Sequence, residues 1–316
     1  MSFNRTIYLA LALVFAVSNT SFAQSKKLKP NFKKGGKTVC FPPNRLSLQD
    51  DLEAGNVTET QFNQIIDKIV EYYKPIVKAH GGDLVAFKNW KDGTVNAYAN
   101  QNGKTWEIHM FGGLARRPEV TPDGFALVVC HELGHHLAGY PFYDDSEWAS
   151  SEGQSDYFAT HACAKAGWGG NKEKNLKSRK LVDPVAKEEC DATYSKPEER
   201  ALCYREADAG QSLADLLASL NSEKLPEFDT PDQSKVSRTD PSHPAAQCRL
   251  DTYFQGALCT KKFNENEIPG RDSRGGQDSA KAEVIASKTS CTTAEGFEVG
   301  YRPRCWFKPF SGKFRN

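Results

Sequence analysis

The chain has 316 residues, enough for one large domain with embellishments or two small ones and for a substantial buried core. Its 41 basic residues nearly balance 40 acidic ones, so no global field exists to draw DNA or RNA, and a charge-driven nucleic-acid partner is excluded. Nine cysteines, none at C-x-x-C spacing, argue against a cysteine-ligated zinc site or a thioredoxin-like motif; an odd count leaves at least one thiol unpaired.

The opening "MSFNRTIYLALALVFAVSNTSFAQ" has one cation at Arg5, an apolar run from Ile7 to Val17, and small residues at Ser21 and Ala23. That layout is a cleavable export signal over residues 1–23. Its apolar run is shorter than the roughly 20 residues of a spanning helix, and no later stretch is long and apolar enough. The expectation is an exported chain, periplasmic or secreted, without stable membrane insertion and with several disulfides. A lysine-rich lead-in follows over residues 24–45, with six lysines between Ser25 and Lys37. Such a run reads as a solvated lead-in or as a contact with an anionic surface.

"TETQFNQIIDKIVEYYKPIVKAHGG" opens with a capping-box pattern, Thr58 with Gln61, and carries Phe62, Ile65, Ile66, Ile69, Val70 and Tyr73 on one stripe. It predicts an amphipathic helix bent or ended near Pro75 and closed by Gly81 and Gly82. "LVAFKNW", "TVNAYAN" and "TWEIHMF" are extended candidates separated by the hairpin-type turns "KDG" and "QNGK", so a small antiparallel sheet is expected. "TPDGFALVVCHELGHHLAG" reads as a helix from Thr121 or Asp123 to Gly139, and a second runs roughly from Glu147 to Gly167. A charged, weakly patterned stretch occupies about 169–196, followed by the helix "PEERALCYREADAGQSLADLLASL". A proline-rich loop and the helix "AAQCRLDTYFQGALC" come next. The end, "GFEVGYRPRCWFKPF", has aromatics and nearby cysteines that predict a terminal piece tied back onto the body. Cys248 and Cys259 are not expected to pair, because 11 helical residues rise about 16 Å and a disulfide tolerates less than about 7 Å between α-carbons.

Residues four apart on a helix share a face, so His131 and His135 in "CHELGHH" can offer two imidazoles to one ion. Zn²⁺ accepts neutral nitrogen and carboxylate ligands in tetrahedral geometry. Glu132 sits where it can act as general base toward a water activated by that ion, which is the H-E-x-x-H chemistry. His136 is turned about 100° away and reads as a packing or surface residue; Cys130 reads as a buried thiol. A third ligand is needed. The longer pattern H-E-x-x-H-x-x-G-x-x-H fails, with Ala138 for its glycine and Pro141 for its third histidine. In "SEGQSD", Glu152 and Asp156 stand at i and i+4: Glu152 completes a His₂Glu set, and Asp156 can accept the free N–H of a ligand histidine. Asp145, Glu147 and His161 are nearby competitors of lower rank.

With these residues assembled, the chain resembles the gluzincin metallopeptidases, within them the HtpX-like and Ste24-like family, over roughly residues 58–260. The likeness is carried by "VNAYAN", "TWEIHMFGGL", "VVCHELGHHL", "SEGQSD" and the late "SHPAAQCR". It implies an α+β, mainly helical zincin-type domain over 46–260 with a small antiparallel sheet. In that resemblance "TWEIHMF" is the edge strand bordering the active site and receives substrate by strand addition. It also implies that His243 donates to the developing oxyanion and that Arg249 holds its loop or supports that charge, a demand any tetrahedral intermediate makes. His109 on the same strand reads as a surface residue. The insertion at about 169–196 and a cysteine-containing C-terminal extension over 261–316 have no family counterpart.

The function expected is a zinc metalloendopeptidase acting on extended or unfolded polypeptide. A zinc-containing periplasmic chaperone or peptide-binding protein with little or no proteolysis is the alternative, and the presence of Glu132 favours the enzyme.

Overall fold

In the computed structural model, residues 38–42, 44, 46–48, 55–143, 146–178, 180, 182–271 and 279–310 are described. The export signal and most of the lysine-rich lead-in lie outside them. Strand β1 (Thr38–Val39) precedes helix α1 (Glu59–Ala79), whose capping box is present: Thr58 Oγ1 accepts from Gln61 N while Gln61 Oε1 accepts from Thr58 N. The helix continues through Pro75, because its buried stripe carries on across the proline from Tyr73 to Val77. Packing of that stripe outweighs the one hydrogen bond a proline removes.

Strands β2 (Asp83–Asn89), β3 (Ala97–Asn102) and β4 (Thr105–Phe111) join β1 in one sheet of order β1-β3-β4-β2. β3 and β4 form the expected hairpin, turning through Gly103 at φ +60°. β2, however, runs parallel to β4 on its far side, so the sheet is mixed. The connection from β2 to β3 passes across the end of β4, where Gly112 and Gly113 leave room for it. A Cβ at either glycine would fall within 2 Å of the carbonyl oxygen of Trp90 or Gly93. Arg116 then fastens the crossing, donating to the carbonyls of Trp90 (2.6 Å) and Leu48 (2.8 Å). This placement corrects the edge-strand expectation: "TWEIHMF" is paired on both sides and offers no edge, whereas β3 borders the short β1.

The inner face of the sheet supplies Ala97, Ala99, Trp106, Ile108 and Met110 to the main core. After the short helix α2 (Gly112–Ala115), helix α3 (Pro122–Leu137) packs there. Its N-cap Thr121 accepts from Gly124 N, and every residue from Gly124 to Leu137 is buried. Helix α4 (Glu152–Phe158) starts five residues later than the pattern predicts, at the N-cap Ser151, and leads into a π-helical turn (Ala159–Ala164) and α5 (Lys165–Trp168). Gly134 lets α4 approach α3: a Cβ there would stand 2.8 Å from Ser155 Cα.

The charged stretch is helical, as α6 (Lys172–Ser178) and α7 (Pro184–Thr193). A Cys190–Cys203 bridge fixes α7 to helix α8 (Pro197–Asn221). Helix α9 (Ala246–Leu258) lies against α8 and α4. Three more disulfides join Cys130 to Cys163, Cys248 to Cys305, and Cys259 to Cys291; Cys40 alone is free. Cys130 is therefore a bridge from α3 to the π turn rather than a buried thiol, and Cys248 and Cys259 do not pair with each other. The last two bridges tie the terminal piece, including α10 (Ala280–Ser287), back onto α9 as expected. Trp306 is fully buried, donates to Thr252 Oγ1 and lies against Gly153 with no space for a Cβ between them. Among the described residues no helix is long and apolar enough to cross a membrane.

Candidate metal centre

The close crossing of α3 and α4 at Gly134 sets one helical face of each against the other. His131 and His135 project from α3, and Glu152 from the first turn of α4. His131 Nε2 lies 3.3 Å from Glu152 Oε2, and His135 Nε2 lies 3.7 Å from Glu152 Oε1. Tetrahedral ligands at 2.0–2.2 Å from an ion are separated by about 3.4 Å, so these separations fit an ion between them. All three side chains are fully buried, and His131 Nε2, His135 Nε2 and Glu152 Oε2 have no hydrogen-bond partner. Orphaned polar atoms in a dry interior cost free energy unless something satisfies them. This group could hold a metal ion.

The opposite ring nitrogens are accounted for. His131 Nδ1 meets Asp156 Oδ1 at 2.7 Å, and His135 Nδ1 donates to the carbonyl oxygen of Ser150 at 2.8 Å, with Ser155 Oγ at 3.1 Å. Acceptors at Nδ1 place the proton there and leave Nε2 as a lone pair for an ion. Burial pushes the His135 imidazole down to about 3, so it stays neutral. Burial would also lower His131, but Cys40 and Asp156 raise it well above its ordinary value, so a metal would displace a proton. Burial works to raise the Glu152 carboxyl, yet His243, His135 and His131 hold it below the carboxylate range, and Tyr143 donates to its Oε1 at 2.6 Å.

Glu132 lies beside His131 with both carboxylate oxygens buried and unpartnered. Burial pushes it up to about 8 against the pull of His131, and a cation held between the neighbouring histidines would favour the ionised form that a general base needs. His243 reaches Glu152 Oε1 with its Nε2 at 3.6 Å, and its loop is pinned where Glu152 N–H donates to the Pro241 carbonyl. Arg249 sits behind His131, its Nη2 3.3 Å from the ring Nδ1. It forms a bidentate pair with Asp156, Nη2 to Oδ1 at 2.5 Å and Nε to Oδ2 at 2.7 Å, and donates from Nη1 to the Cys40 carbonyl at 2.6 Å. Asp156 is thereby held ionised and oriented toward His131, and burial is overcome by Arg249 and His131.

The remaining histidines stand apart from the cluster. His136 is buried and neutral, pushed down to about 4 by burial, and stacks with Trp106 and Trp148. His161 stacks on Tyr157, and His109 lies between Phe87 and Tyr98 on the outer face of the sheet. Glu147 is exposed, and Asp145 lies outside the described residues.

Three contributors escaped the sequence reading: Tyr143, Ser150 and Cys40. The odd cysteine count requires a free thiol without saying which. A ring nitrogen of His131, a carboxylate oxygen of Glu132 and Cys40 Sγ lie within 4.8 Å of one another. Comparison with protein families, curated proteins and solved structures finds no match for this chain.

Proposed function

We propose that this chain is a zinc-dependent endopeptidase that hydrolyses peptide bonds of extended or unfolded exported proteins. The observation that carries the reading is the convergence of unpartnered, buried donor atoms from His131, His135 and Glu152, with an unpartnered Glu132 beside them. Two neutral imidazoles and a carboxylate are a donor set that suits zinc. When bound, zinc supplies Lewis acidity, lowering the pKa of water and polarising a substrate carbonyl.

The chain's own residues perform the rest. Glu132, buried beside the cluster with both carboxylate oxygens uncommitted, accepts the proton of the attacking water and passes it to the leaving amine. His243, on the Glu152 side of the cluster, supplies a donor for the negative charge that grows on the substrate oxygen. Asp156, clamped by Arg249, and the Ser150 carbonyl hold the two ligand imidazoles in the required tautomer. An extended polypeptide is favoured as substrate because the β3 edge beside the centre accepts main chain, as its pairing with β1 illustrates.

One observation favours the alternative of a zinc-containing chaperone or peptide-binding protein: His131, Glu132, His135 and Glu152 are all at 0% exposure. Zinc content by mass spectrometry and cleavage of denatured casein separate the two. Because Cys40 crowds Glu132, both proteins compared carry Cys40→Ser, with and without Glu132→Gln. Cleavage only with Glu132 intact supports the peptidase; equal cleavage, or none by either while zinc is bound, rejects it.

A further inference from the structure

Helix α1, the π turn, α5, α8 and the segment that follows α9 enclose a cavity of about 670 Å³ that the hydrolysis proposed above does not use. None of His131, Glu132, His135 and Glu152 lines it. Its volume lies within the roughly 300–1,000 Å³ of small-molecule sites. Ile76, Leu202 and Phe263 give it apolar wall, and Tyr72 and Tyr194 add aromatic rings.

Two polar side chains on this wall have nothing to bond. Glu206 of α8 is 0% exposed with both carboxylate oxygens unpartnered, and His161 of the π turn is 2% exposed with Nε2 unpartnered. Among the described residues outside the metal centre, no other buried carboxylate has both oxygens unpartnered. Such a group costs free energy unless a donor reaches it.

The cations of the cavity are not that donor. Lys165 Nζ commits its three N–H groups to Tyr194 Oη at 3.0 Å, the Gly256 carbonyl at 3.3 Å and the Cys259 carbonyl at 2.6 Å. It tempers the charge of Glu206 without bonding to it. Lys261 bonds the Ser287 carbonyl and Glu295, and Lys262 is exposed. The other two carboxylates are matched, Glu199 by Lys196 and Glu265 by Tyr72. His161 is kept neutral by burial and by Lys165 and Arg302, so it brings no charge of its own. The capacity left over on this wall is acceptor capacity, centred on Glu206.

We propose that the cavity is a binding site for a small organic cation, a primary ammonium on an apolar stem, whose N–H groups bond the Glu206 carboxylate while the stem lies against Ile76, Leu202 and Phe263. A primary ammonium brings three donors and the positive charge that a desolvated carboxylate requires. The faces of Tyr72 and Tyr194 favour a cation as well. The ammonium replaces the proton that burial keeps on Glu206 against Lys165 of α5 and Arg205 of α8, and that proton leaves to solvent.

Calorimetric titration of the purified protein with three five-carbon probes, pentylamine, pentanoate and pentanamide, tests the assignment. Pentylamine should bind, the other two about tenfold more weakly or not at all, and Glu206→Gln should weaken pentylamine about tenfold or more. Ala166→Phe, which fills the cavity from α5 and leaves Glu206 intact, should weaken it equally. A cooperative urea transition identifies the variants that fold. Absence of pentylamine binding, equal or tighter binding of pentanoate or pentanamide, or unchanged pentylamine affinity in either folded variant would overturn the proposal.

Discussion

Gly134 of α3 and Ser155 of α4 meet backbone to backbone: a Cβ added at Gly134 would stand 2.8 Å from Ser155 Cα and 3.0 Å from its carbonyl oxygen. This crossing sets the distance between the histidines of one helix and Glu152 of the other. Gly134→Ala must push the helices apart, at a cost of about 1–3 kcal/mol for overpacking. The expected outcome is weaker metal binding in a chain that keeps every ligand, measured by competition with a chromophoric chelator. Unchanged affinity would mean that the crossing does not set the ligand spacing.

Asp156 and Arg249 form a fully buried ion pair, and Asp156 also orients His131. Removing one partner of such a pair leaves an uncompensated charge and costs about 3–5 kcal/mol. Arg249→Met should destabilise by that order in urea unfolding, and Asp156→Asn should in addition lower metal affinity about 10–100-fold. The double variant should be less destabilised than the sum of the singles. Strict additivity would show that the two residues act independently.

The parts legible in the sequence are those decided within one or two helical turns. His131 and His135 share a face by spacing alone, as do Glu152 and Asp156, and the Thr58–Gln61 capping box is a three-residue signal. Where β2 lies was not legible, because its parallel pairing depends on Gly112 and Gly113 meeting Trp90 and Gly93, a tertiary packing that turn residues do not announce. The hairpin signal of "KDG" was overridden by that packing. The pairing of Cys130 with Cys163 hangs on the approach of two helices. Arg249, 209 residues from Cys40, gave no hint that its guanidinium would receive that residue's carbonyl.

The terminal piece supports the His243 loop. Val236 N–H donates to the Arg304 carbonyl and Asp240 N–H to that of Trp306, while Cys248–Cys305 closes the connection over a separation of 57 residues. Replacing both cysteines by serine should cost about 4 kcal/mol in the chain-entropy account. Because no ligand is touched, zinc should be retained while casein turnover falls, both measured in the Cys40→Ser background. Loss of zinc together with turnover would place the terminal piece in ligand support rather than in positioning the loop.

Glu206 on α8 is fully buried with both carboxylate oxygens unpartnered, and burial pushes it up to about 8, opposed by Lys165 and Arg205. In the folded chain it keeps its proton to about pH 8, whereas its ordinary value is 4.5, so between these limits the folded state binds one proton more than the unfolded state. Stability from this group is therefore complete below pH 4.5 and declines as pH rises toward 8, with a slope of about 1.4 kcal/mol per pH unit. Glu206→Gln removes the titration and should flatten the urea-unfolding free energy by that slope between about pH 5 and 8. A variant whose pH profile parallels that of wild type would show that Glu206 is ionised in the fold, with Lys165 as its counter-charge.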